Sequence, residues 1–370
     1  MSTVATTVGL RDFRNFERAE LSLGERLTVI SGANGAGKTN LLEAVYFAST
    51  ARSPRTNTDR ELVRRGSSVG RVTLTTRDAE GEHLIEVGLS PGEAKTVRVD
   101  GSPTSDLLAA PARPLVSVFL PDRLSLVKGA PAERRAHLDS LVAALWPGRR
   151  ATRAAYSRAL AQRNALLGRV RSGLAGAPSL APWDAELARQ GVQLMSDRAQ
   201  AAGLLAPRFE ERARDLGLPG KAALAYRPRS PAVQAAELVA ELAARREADL
   251  ERGFTAHGPH RDELRLSHDG HTLRAYGSQG QQRAALLALL LAERDLLDAE
   301  RGRPPLMLLD DVMSELDAGR RELLSELLRA QGQSIVTTTD LDHVPGSGDD
   351  DVTVVRVVDG RLVAAGEVTA

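Results

Sequence analysis

Runs of β-branched and aliphatic residues alternate with helical periodicity at both ends of the chain. Residues 27–30 form a β-prone run that ends in glycine-rich sequence, and a helical pattern begins at residues 41–45. Near the other end, the pattern predicts a long helix from 281 to about 300 and then a buried strand at 306–310. The remaining predicted elements are a helix at about 318–330, a strand at 334–338 and a C-terminal hairpin with Asp359-Gly360 at its tip.

Between these ends, turn residues separate three β-prone runs, which predicts an antiparallel β-meander. The runs are residues 72–75, 84–89 and 96–99. Residues 115–120 are one further candidate for a buried strand. From 131 to about 252 the strand signals vanish, and Ala, Leu, Arg, Gln and Glu dominate in helix-length blocks. Strand-like sequence returns at 263–266 and 273–276, joined by a turn at 268–270.

Strand–helix alternation at both ends, with helices between, predicts one α/β domain split by an α-helical lobe. The expected domain comprises residues 1–125 and 253–370, and the expected lobe comprises residues 126–252. The chain has 370 residues, of which 42% are hydrophobic and 26% charged, as is usual for soluble globular proteins. It has no cysteine, no signal-peptide pattern and no run near the roughly 18 apolar residues of a membrane span. We therefore expect a cytoplasmic protein with no membrane partner.

Positive charge is concentrated in two segments, although the whole chain is nearly neutral with 49 Lys and Arg against 48 Asp and Glu. Residues 131–172 hold nine arginines and two acidic residues, and residues 51–71 hold six arginines and two acidic residues. Such segments contact phosphate backbones, but a solvated helix face has the same composition. Aromatic residues are only 3% of the chain, so a surface of stacked rings that grips single-stranded bases is not expected.

Residues 32–39 are Gly-Ala-Asn-Gly-Ala-Gly-Lys-Thr, which matches the P-loop pattern G-x-x-x-x-G-K-[ST] at every fixed position. The segment follows a predicted strand and opens a predicted helix, where backbone N–H groups and the helix dipole bind phosphate. Lys38 would reach the β- and γ-phosphates of ATP, and the Thr39 hydroxyl would ligate Mg²⁺. The expected ATP-binding residues are Gly32, Ala33, Asn34, Gly35, Ala36, Gly37, Lys38 and Thr39.

A second acidic element is expected to hold the metal beside the P-loop. Residues 306–309 are apolar, as in a strand buried on both faces, and two carboxylates follow at the carboxyl end of that strand. Asp310 is the candidate ligand of Mg²⁺, directly or through water. Asp311 points differently and is the candidate general base that orients the attacking water. The alternative is that both acids merely cap the next turn.

A third segment, residues 277–282, places Ser278 at a predicted helix start, where the plain alternative is an ordinary helix cap. The order of P-loop, Ser-x-Gly-Gln, acid-ended strand and Ser-Glu-Leu-Asp at 314–317 resembles the ABC-type ATPases. In that family, the signature loop of one subunit closes on nucleotide held by the other. The roles implied by the resemblance fall on Ser278, Gly280 and Gln281 for the signature loop in trans, and on Asp317 for the D-loop.

Further segments extend the resemblance along nearly the whole chain. They are LRDFRNF at 10–16, RSPRTNTD at 52–59, LVKG at 126–129, HGPHRD at 257–262 and LDDVMSELD at 309–317. Together they are similar to the RecF family of bacterial recombination-mediator ATPases, which is related to SMC proteins. The resemblance implies an ABC-type P-loop ATPase head with an added β-meander and an inserted helical lobe. It also implies ATP-dependent dimerisation on single-stranded or gapped DNA, and cooperation with a RecR-like protein in recombinase loading, replication-fork recovery and the SOS response.

Three positions depart from the wider ABC pattern. Gln279 stands where the signature usually has Gly, and Asp311 stands where the catalytic acid is usually Glu. The segment Thr338-Thr339-Asp340 lies where a switch histidine is expected. Each departure weakens the activation of water. We therefore expect slow, DNA-dependent ATP hydrolysis that serves as a switch, and binding with little turnover is also compatible with the sequence.

DNA contacts are expected to come mainly from arginine to phosphate. The candidate stretches are 52–71 and 134–171, and the candidates named within the second are Arg134, Arg135, Arg149, Arg150 and Arg153. For Arg52 and Arg55 the sequence leaves open whether they face nucleotide or DNA. His257 and His260 belong to a group of four histidines, but the Gly-Pro break between them disfavours a zinc site. A structural or nucleotide-adjacent role is the preferred interpretation.

Three other functions compete with the DNA-repair switch. A transporter ATPase subunit is disfavoured because about 240 residues separate the P-loop from the signature segment. An SMC-like cohesion protein is disfavoured because the insertion is repeatedly interrupted by Pro and Gly and cannot form a long coiled-coil arm. A scaffold that merely binds nucleotide is disfavoured by the presence of Lys38, Thr39 and Asp310.

Overall fold

A computed structural model describes residues 3–364 of the protein, which fall into two compact units. The first unit holds the residues up to Arg123, Asp215–Gly217 and the residues from Leu297 on, and the second holds Leu124–Arg214 and Leu218–Leu296. The second unit therefore begins close to the expected start of the insertion but ends 44 residues beyond 252. The assignment of these stretches as an ATPase domain and an inserted lobe remains a prediction.

The elements follow one another in strand-rich and helix-rich stretches. The strands are β1 (Val4–Phe13), β2 (Phe16–Ser22), β3 (Leu27–Ser31), β4 (Gly70–Arg77), β5 (Glu82–Leu89), β6 (Thr96–Val99), β7 (Ser102–Pro103), β8 (Val116–Phe119), β9 (Ala222–Arg227), β10 (Glu263–His268), β11 (His271–Thr272), β12 (Leu306–Leu309), β13 (Ser334–Thr338), β14 (Val352–Val358) and β15 (Arg361–Ala364). The α-helices are α1 (Lys38–Thr50), α2 (Ser125–Lys128), α3 (Pro131–Leu145), α4 (Arg150–Arg171), α5 (Ala181–Asp215), α6 (Ala235–Ala244), α7 (Arg246–Arg252), α8 (Leu273–Tyr276), α9 (Gln279–Arg301) and α10 (Ala318–Ala330). None of the described helices is long and apolar enough to cross a membrane.

The first unit contains a mostly parallel sheet with the strand order β15-β14-β3-β13-β12-β8. Its strands pair in parallel from β14 to β8, and only β15 is antiparallel. Every residue of β3, β12 and β13 is buried. Burial on both faces explains why these strands are continuous apolar or Thr-containing runs rather than alternating ones. The parallel order brings the carboxyl ends of β3 and β12 to one edge of the sheet.

A second sheet in the first unit is antiparallel, with the strand order β2-β1-β4-β5-β6-β7. The predicted meander is confirmed as β4, β5 and β6, and the predicted C-terminal hairpin is confirmed as β14 and β15. Helix α1 packs against strands of both sheets and buries Leu41, Leu42, Val45 and Phe47. Because α1 has apolar neighbours on two sides, it is apolar around much of its circumference.

The second unit differs from its prediction in two elements. The expected helical lobe contains a strand, β9, which pairs antiparallel with β10 in a sheet of order β11-β10-β9. Residues 222–227 are Ala-Ala-Leu-Ala-Tyr-Arg, a composition that favours a helix locally, and pairing with β10 overrides this preference. The predicted strand at 273–276 is wrong, since these residues form the short helix α8, whose last turn is closed by Gly277 N–H donating to Leu273 O.

Candidate functional site: a phosphate-binding loop and its acidic partner

The loop at residues 32–37 connects β3 to α1 in the first unit. Gly37 has φ 118°, a conformation that favours glycine, and a Cβ there would lie 2.6 Å from Asn15 Nδ2 and 2.9 Å from the Phe16 ring. Asn15 Nδ2 also donates to Ala36 O at 3.0 Å. The glycine therefore permits a tight approach between the loop and the turn that joins β1 to β2. This contact fixes the loop beside the start of α1, and a helix start attracts anions.

Lys38 lies across this loop and is almost completely buried. Its Nζ donates to Gly32 O at 2.7 Å and to Ala33 O at 3.0 Å. Burial lowers the pKa of Lys38, while the carboxylates of Asp311 and Asp310 act in the opposite direction. Among the described lysines, Lys38 is thus the buried one, and its ammonium contacts two carbonyl groups of the loop.

Thr39 and Asp310 meet although 271 residues separate them in the chain. Thr39 Oγ1 lies 3.0 Å from Asp310 Oδ1 and 2.8 Å from Asp310 Oδ2. Thr337, on β13, donates to Asp310 Oδ1 at 2.7 Å, so two hydroxyls hold the carboxylate in place. Hydroxyl and carboxylate oxygens are the ligands that Mg²⁺ prefers, so the donor set fits that ion.

Asp311 follows Asp310 directly and has a left-handed backbone, with φ 49°. Asp tolerates this conformation better than most residues. Its N–H donates to Thr337 Oγ1 at 2.9 Å, which fixes the turn at the end of β12. Its Oδ1 is buried and has no hydrogen-bond partner among residues 3–364. A buried acceptor of this kind can take a proton or hold a water molecule.

Ser278 directly precedes α9 and forms a reciprocal cap with Gln281. Its N–H donates to Gln281 Oε1 at 2.9 Å, and Gln281 N–H donates to Ser278 Oγ at 3.2 Å. Ser278 and Gly280 are exposed, and a Cβ at Gly280 would meet open space. The geometry is that of a helix cap with an accessible first turn. Ser278, Gly280 and Gln281 all belong to the second unit.

Asp317 caps α10 in the first unit. Its Oδ1 accepts a hydrogen bond from Arg320 N–H at 3.0 Å, and its side chain is 64% exposed. The cap accounts for the acid at this position without any ligand. The other carboxylate oxygen, Oδ2, lies 3.5 Å from Arg320 Nε. The structure brings Lys38, Thr39, Asp310 and Asp311 together in one cluster.

A cleft of about 520 Å³ lies beside the P-loop. Its lining residues are Arg14, Asn15, Asn40, Arg55, Arg60, Glu61, Val63 and Arg65. Arg55 Nη1 donates to Asn40 Oδ1 at 2.9 Å, so Arg55 is turned toward the first turn of α1. Arg52 is exposed and does not line the cleft. Two residues of the cleft were not predicted from the sequence. Asn15 lies in the segment 10–16, and Asn40 directly follows Thr39.

The candidate DNA-contacting arginines of α3 are turned inward. Arg134 is 4% exposed and forms a bidentate pair with Glu263 at 2.7 and 2.9 Å. It also donates to Gly129 O at 3.0 Å. Arg135 donates to Asp262 O at 2.8 Å, and burial lowers its pKa. The structure therefore differs from the expectation for Arg134, whose guanidinium is already satisfied and inaccessible to a phosphate.

The candidates that follow α3 are more accessible. Arg149 lies over the Trp146 ring, 4.2 Å from its centroid, and donates to Asp197 and Gln200. Arg153 is 55% exposed and contacts Asp139 at 3.1 Å. Arg150 is exposed. Arg149 and Arg153 are thus both engaged with carboxylates of the fold, and Arg150 is the first residue of α4.

The histidines of the segment 257–262 make internal hydrogen bonds. His257 Nε2 bonds to Glu241, and His260 bonds through Nδ1 to Tyr156 OH and through Nε2 to Thr255 O. Burial lowers the pKa of His260 to about 4. The described residues contain no group of three or more His, Cys, Asp or Glu side chains arranged to hold a metal. These contacts support a structural role for both histidines.

Residues 4–361 match the protein family described as RecF/RecN/SMC N terminal domain. A relative named DNA replication and repair protein RecF, from Anaeromyxobacter sp. (strain Fw109-5), is 41% identical over 97% of this chain and 98% of its own. The chain belongs to the RecF family. A RecF of the same name from Streptomyces avermitilis is 38% identical over 92% of this chain and 95% of its own.

Solved structures place the fold within the same group. The structure titled "Structure of the recombination mediator protein RecF-ATPrS in RecFOR pathway" matches with a TM-score of 0.85 and 28% identity, covering 99% of both chains. An Smc head domain from Pyrococcus furiosus matches with a TM-score of 0.60 and 17% identity, covering 98% of this chain and 96% of that one. The expected fold, an ABC-type ATPase head of the RecF and SMC kind, is confirmed.

Proposed function

We propose that this chain is an ATP-dependent DNA-binding protein of DNA replication and recombinational repair. The observation that carries the proposal is the contact between Thr39 and Asp310 beside the buried Lys38. It joins a phosphate-binding loop to an acid-ended strand, which is the arrangement of a P-loop ATPase. The shared name of the relatives, DNA replication and repair protein RecF, supports the biological setting.

The residues fit ATP with Mg²⁺. The loop from Gly32 to Thr39 would surround the phosphates, with Lys38 at the β- and γ-phosphates. Thr39 and Asp310 would hold Mg²⁺, which neutralises phosphate charge when bound. The cleft lined by Asn40 and Arg55 adjoins the start of α1, which favours a nucleotide-facing role for Arg55.

Asp311 is the proposed base for a slow hydrolysis step. Asp311→Asn keeps the side-chain shape and tolerates φ 49°, but it cannot accept a proton. We expect this change to lower the single-turnover rate of ATP hydrolysis by about 100-fold or more while ATP affinity is retained. Rapid-quench assays and calorimetry measure the two quantities. An unchanged rate would remove Asp311 from the mechanism and leave nucleotide binding intact.

ATP is proposed to drive dimerisation. In the dimer, Ser278, Gly280 and Gln281 of one copy would close on nucleotide held by the other copy. Asp317 would lie in the contact between the two copies. Ser278→Arg places a long cation at an exposed helix start, so it should block closure without touching the P-loop. We expect wild type to dimerise in ATP and Mg²⁺ on sizing by light scattering. The variant should stay monomeric yet bind ATP with unchanged affinity. A wild type that stays monomeric with ATP, with or without gapped DNA, would refute the dimer.

The DNA partner proposed is single-stranded or gapped duplex DNA, bound by the ATP-held dimer. A RecR-like mediator is the proposed protein partner in recombinase loading, with a downstream role in the SOS response. The RecFOR pathway named for the solved RecF structures supports this assignment. Co-sedimentation of the protein with RecR on gapped DNA, with and without ATP, tests it directly.

A further inference from the structure

Helix α4 presents a face that is rich in arginine and free of acidic residues. The 22 residues from Arg150 to Arg171 include six arginines and no Asp or Glu. One of the six, Arg163, is buried. The exposed arginines are Arg150, Arg153, Arg158, Arg169 and Arg171. The other two helices of more than 20 residues among the described ones, α5 and α9, carry both arginines and acidic residues, so α4 differs from them in charge.

The exposed positions between these arginines are mostly short side chains. They are Ala151, Ala154, Ser157, Ala161, Gln162 and Ala165. Alanine and serine do not rise above the helix surface, so they leave the space around the longer arginine side chains open. A rigid polyanion can therefore approach the helix closely along its whole length. The face offers no exposed aromatic or large aliphatic anchor of the kind that dominates protein–protein interfaces.

Three of these arginines keep their charge uncompensated. Arg158, Arg169 and Arg171 form no ion pair within the described part of the chain, whereas Arg153 contacts Asp139 at 3.1 Å. Arg134 and Arg149, expected from the sequence to meet DNA, are engaged within the fold instead. Within the basic segment 131–172, the unpaired positive charge thus lies along the middle and the carboxyl end of α4.

The buried face of α4 is held firmly by ion pairs and hydrogen bonds. Arg163 Nε donates to Asp184 at 2.7 Å, and its Nη1 donates to Asp249 at 2.8 Å. Tyr156 OH bonds to His260 Nδ1 at 2.7 Å. These contacts fix the rotation of the helix about its axis. The helix backbone that carries the exposed arginines is consequently preorganised, which reduces the entropy lost on binding.

We propose that this exposed face of α4 binds the phosphate backbone of duplex DNA. The inference rests on the proposed function, because it assigns a surface to DNA binding. The helix spans about 32 Å, close to the roughly 34 Å of one turn of B-DNA, so arginines at its two ends reach phosphates on both sides of a groove. Contacts to single-stranded bases need aromatic stacking, which this face lacks, so the duplex part of a gapped substrate is the assigned partner.

Removing the three unpaired charges tests the assignment. The variant Arg158→Ala, Arg169→Ala, Arg171→Ala keeps α4 helical, because alanine is the best helix former. In fluorescence anisotropy with duplex DNA, ATP and Mg²⁺, we expect affinity at 0.1 M salt to fall by about 100-fold. The slope of log affinity against log salt should become shallower by about 3 per protomer. Circular dichroism and ATP affinity should match wild type.

The matched control removes three exposed arginines elsewhere in the second unit, with the same change in net charge. Arg189→Ala, Arg214→Ala, Arg227→Ala should leave the salt slope within 1 of wild type. Equal losses in the two triple variants would overturn the assignment to α4, as would an α4 variant with the wild-type slope. If the α4 variant binds duplex DNA normally but loses an acidic protein partner, the face is a protein site and the inference is wrong. A wild type that binds no DNA would refute the proposed function itself.

Discussion

Replacing Lys38 with methionine should lower the affinity for ATP by at least about 100-fold. Lysine donates charge-assisted hydrogen bonds to phosphate oxygens, each worth about 1.5–3 kcal/mol, and methionine retains the length of the side chain without any donor. The loss of two such bonds costs about 3 kcal/mol or more, which corresponds to the expected loss of about 100-fold in ATP affinity. Isothermal titration calorimetry with ATP and Mg²⁺ measures it. Dimerisation in ATP should disappear together with binding.

Lys221→Met is the matched control, because Lys221 is exposed and belongs to the second unit. It should bind ATP like wild type. Circular dichroism should show that Lys38→Met is folded, since methionine can occupy the buried space under the loop. Wild-type ATP affinity in a folded Lys38→Met protein would mean that the P-loop is not the nucleotide site. The proposed function would then fail at its first step.

The loop between β3 and α1 could be predicted because its determinants are local. Glycines, one lysine and one threonine lie within eight residues, and the strand before them and the helix after them have clear periodicities. The pairing of Thr39 with Asp310 was also predictable, since a P-loop requires an acid from a neighbouring parallel strand. The support that Thr337 gives to Asp310 was not, because a threonine inside a buried strand has no distinctive pattern.

The helical lobe was predicted less well, because its departures depend on distant partners. Strand β9 consists largely of alanine and acquires its conformation from β10, which begins 36 residues after β9 ends. The burial of Arg134 likewise depends on Glu263, 129 residues away. A run of arginines shows where charge is concentrated along the chain. It does not show which guanidinium groups fold inward to meet carboxylates.

Replacing Arg163 with methionine should destabilise the second unit by about 3–5 kcal/mol. Arg163 is fully buried and pairs with Asp184 and Asp249, each at most 1% exposed, and it also donates to Thr255 Oγ1 at 2.6 Å. Removing one partner of a buried ionic cluster leaves carboxylates without compensation, which costs more than the intact cluster contributes. Arg246 still contacts Asp184 at 3.0 Å, so Asp249 bears most of the loss.

Urea unfolding followed by tryptophan fluorescence measures this effect selectively, because both tryptophans, Trp146 and Trp183, lie in the second unit. Arg158→Met is the matched control. It makes the same replacement on the same helix at an exposed arginine without an ion pair, so it should change the free energy of unfolding by no more than about 0.5 kcal/mol. Equal midpoints and slopes for the two variants would show that the Arg163 cluster contributes no net stability. In that case the ion pairs would not fix the orientation of α4 about its axis. The preorganisation of its arginine-rich face would then need another cause.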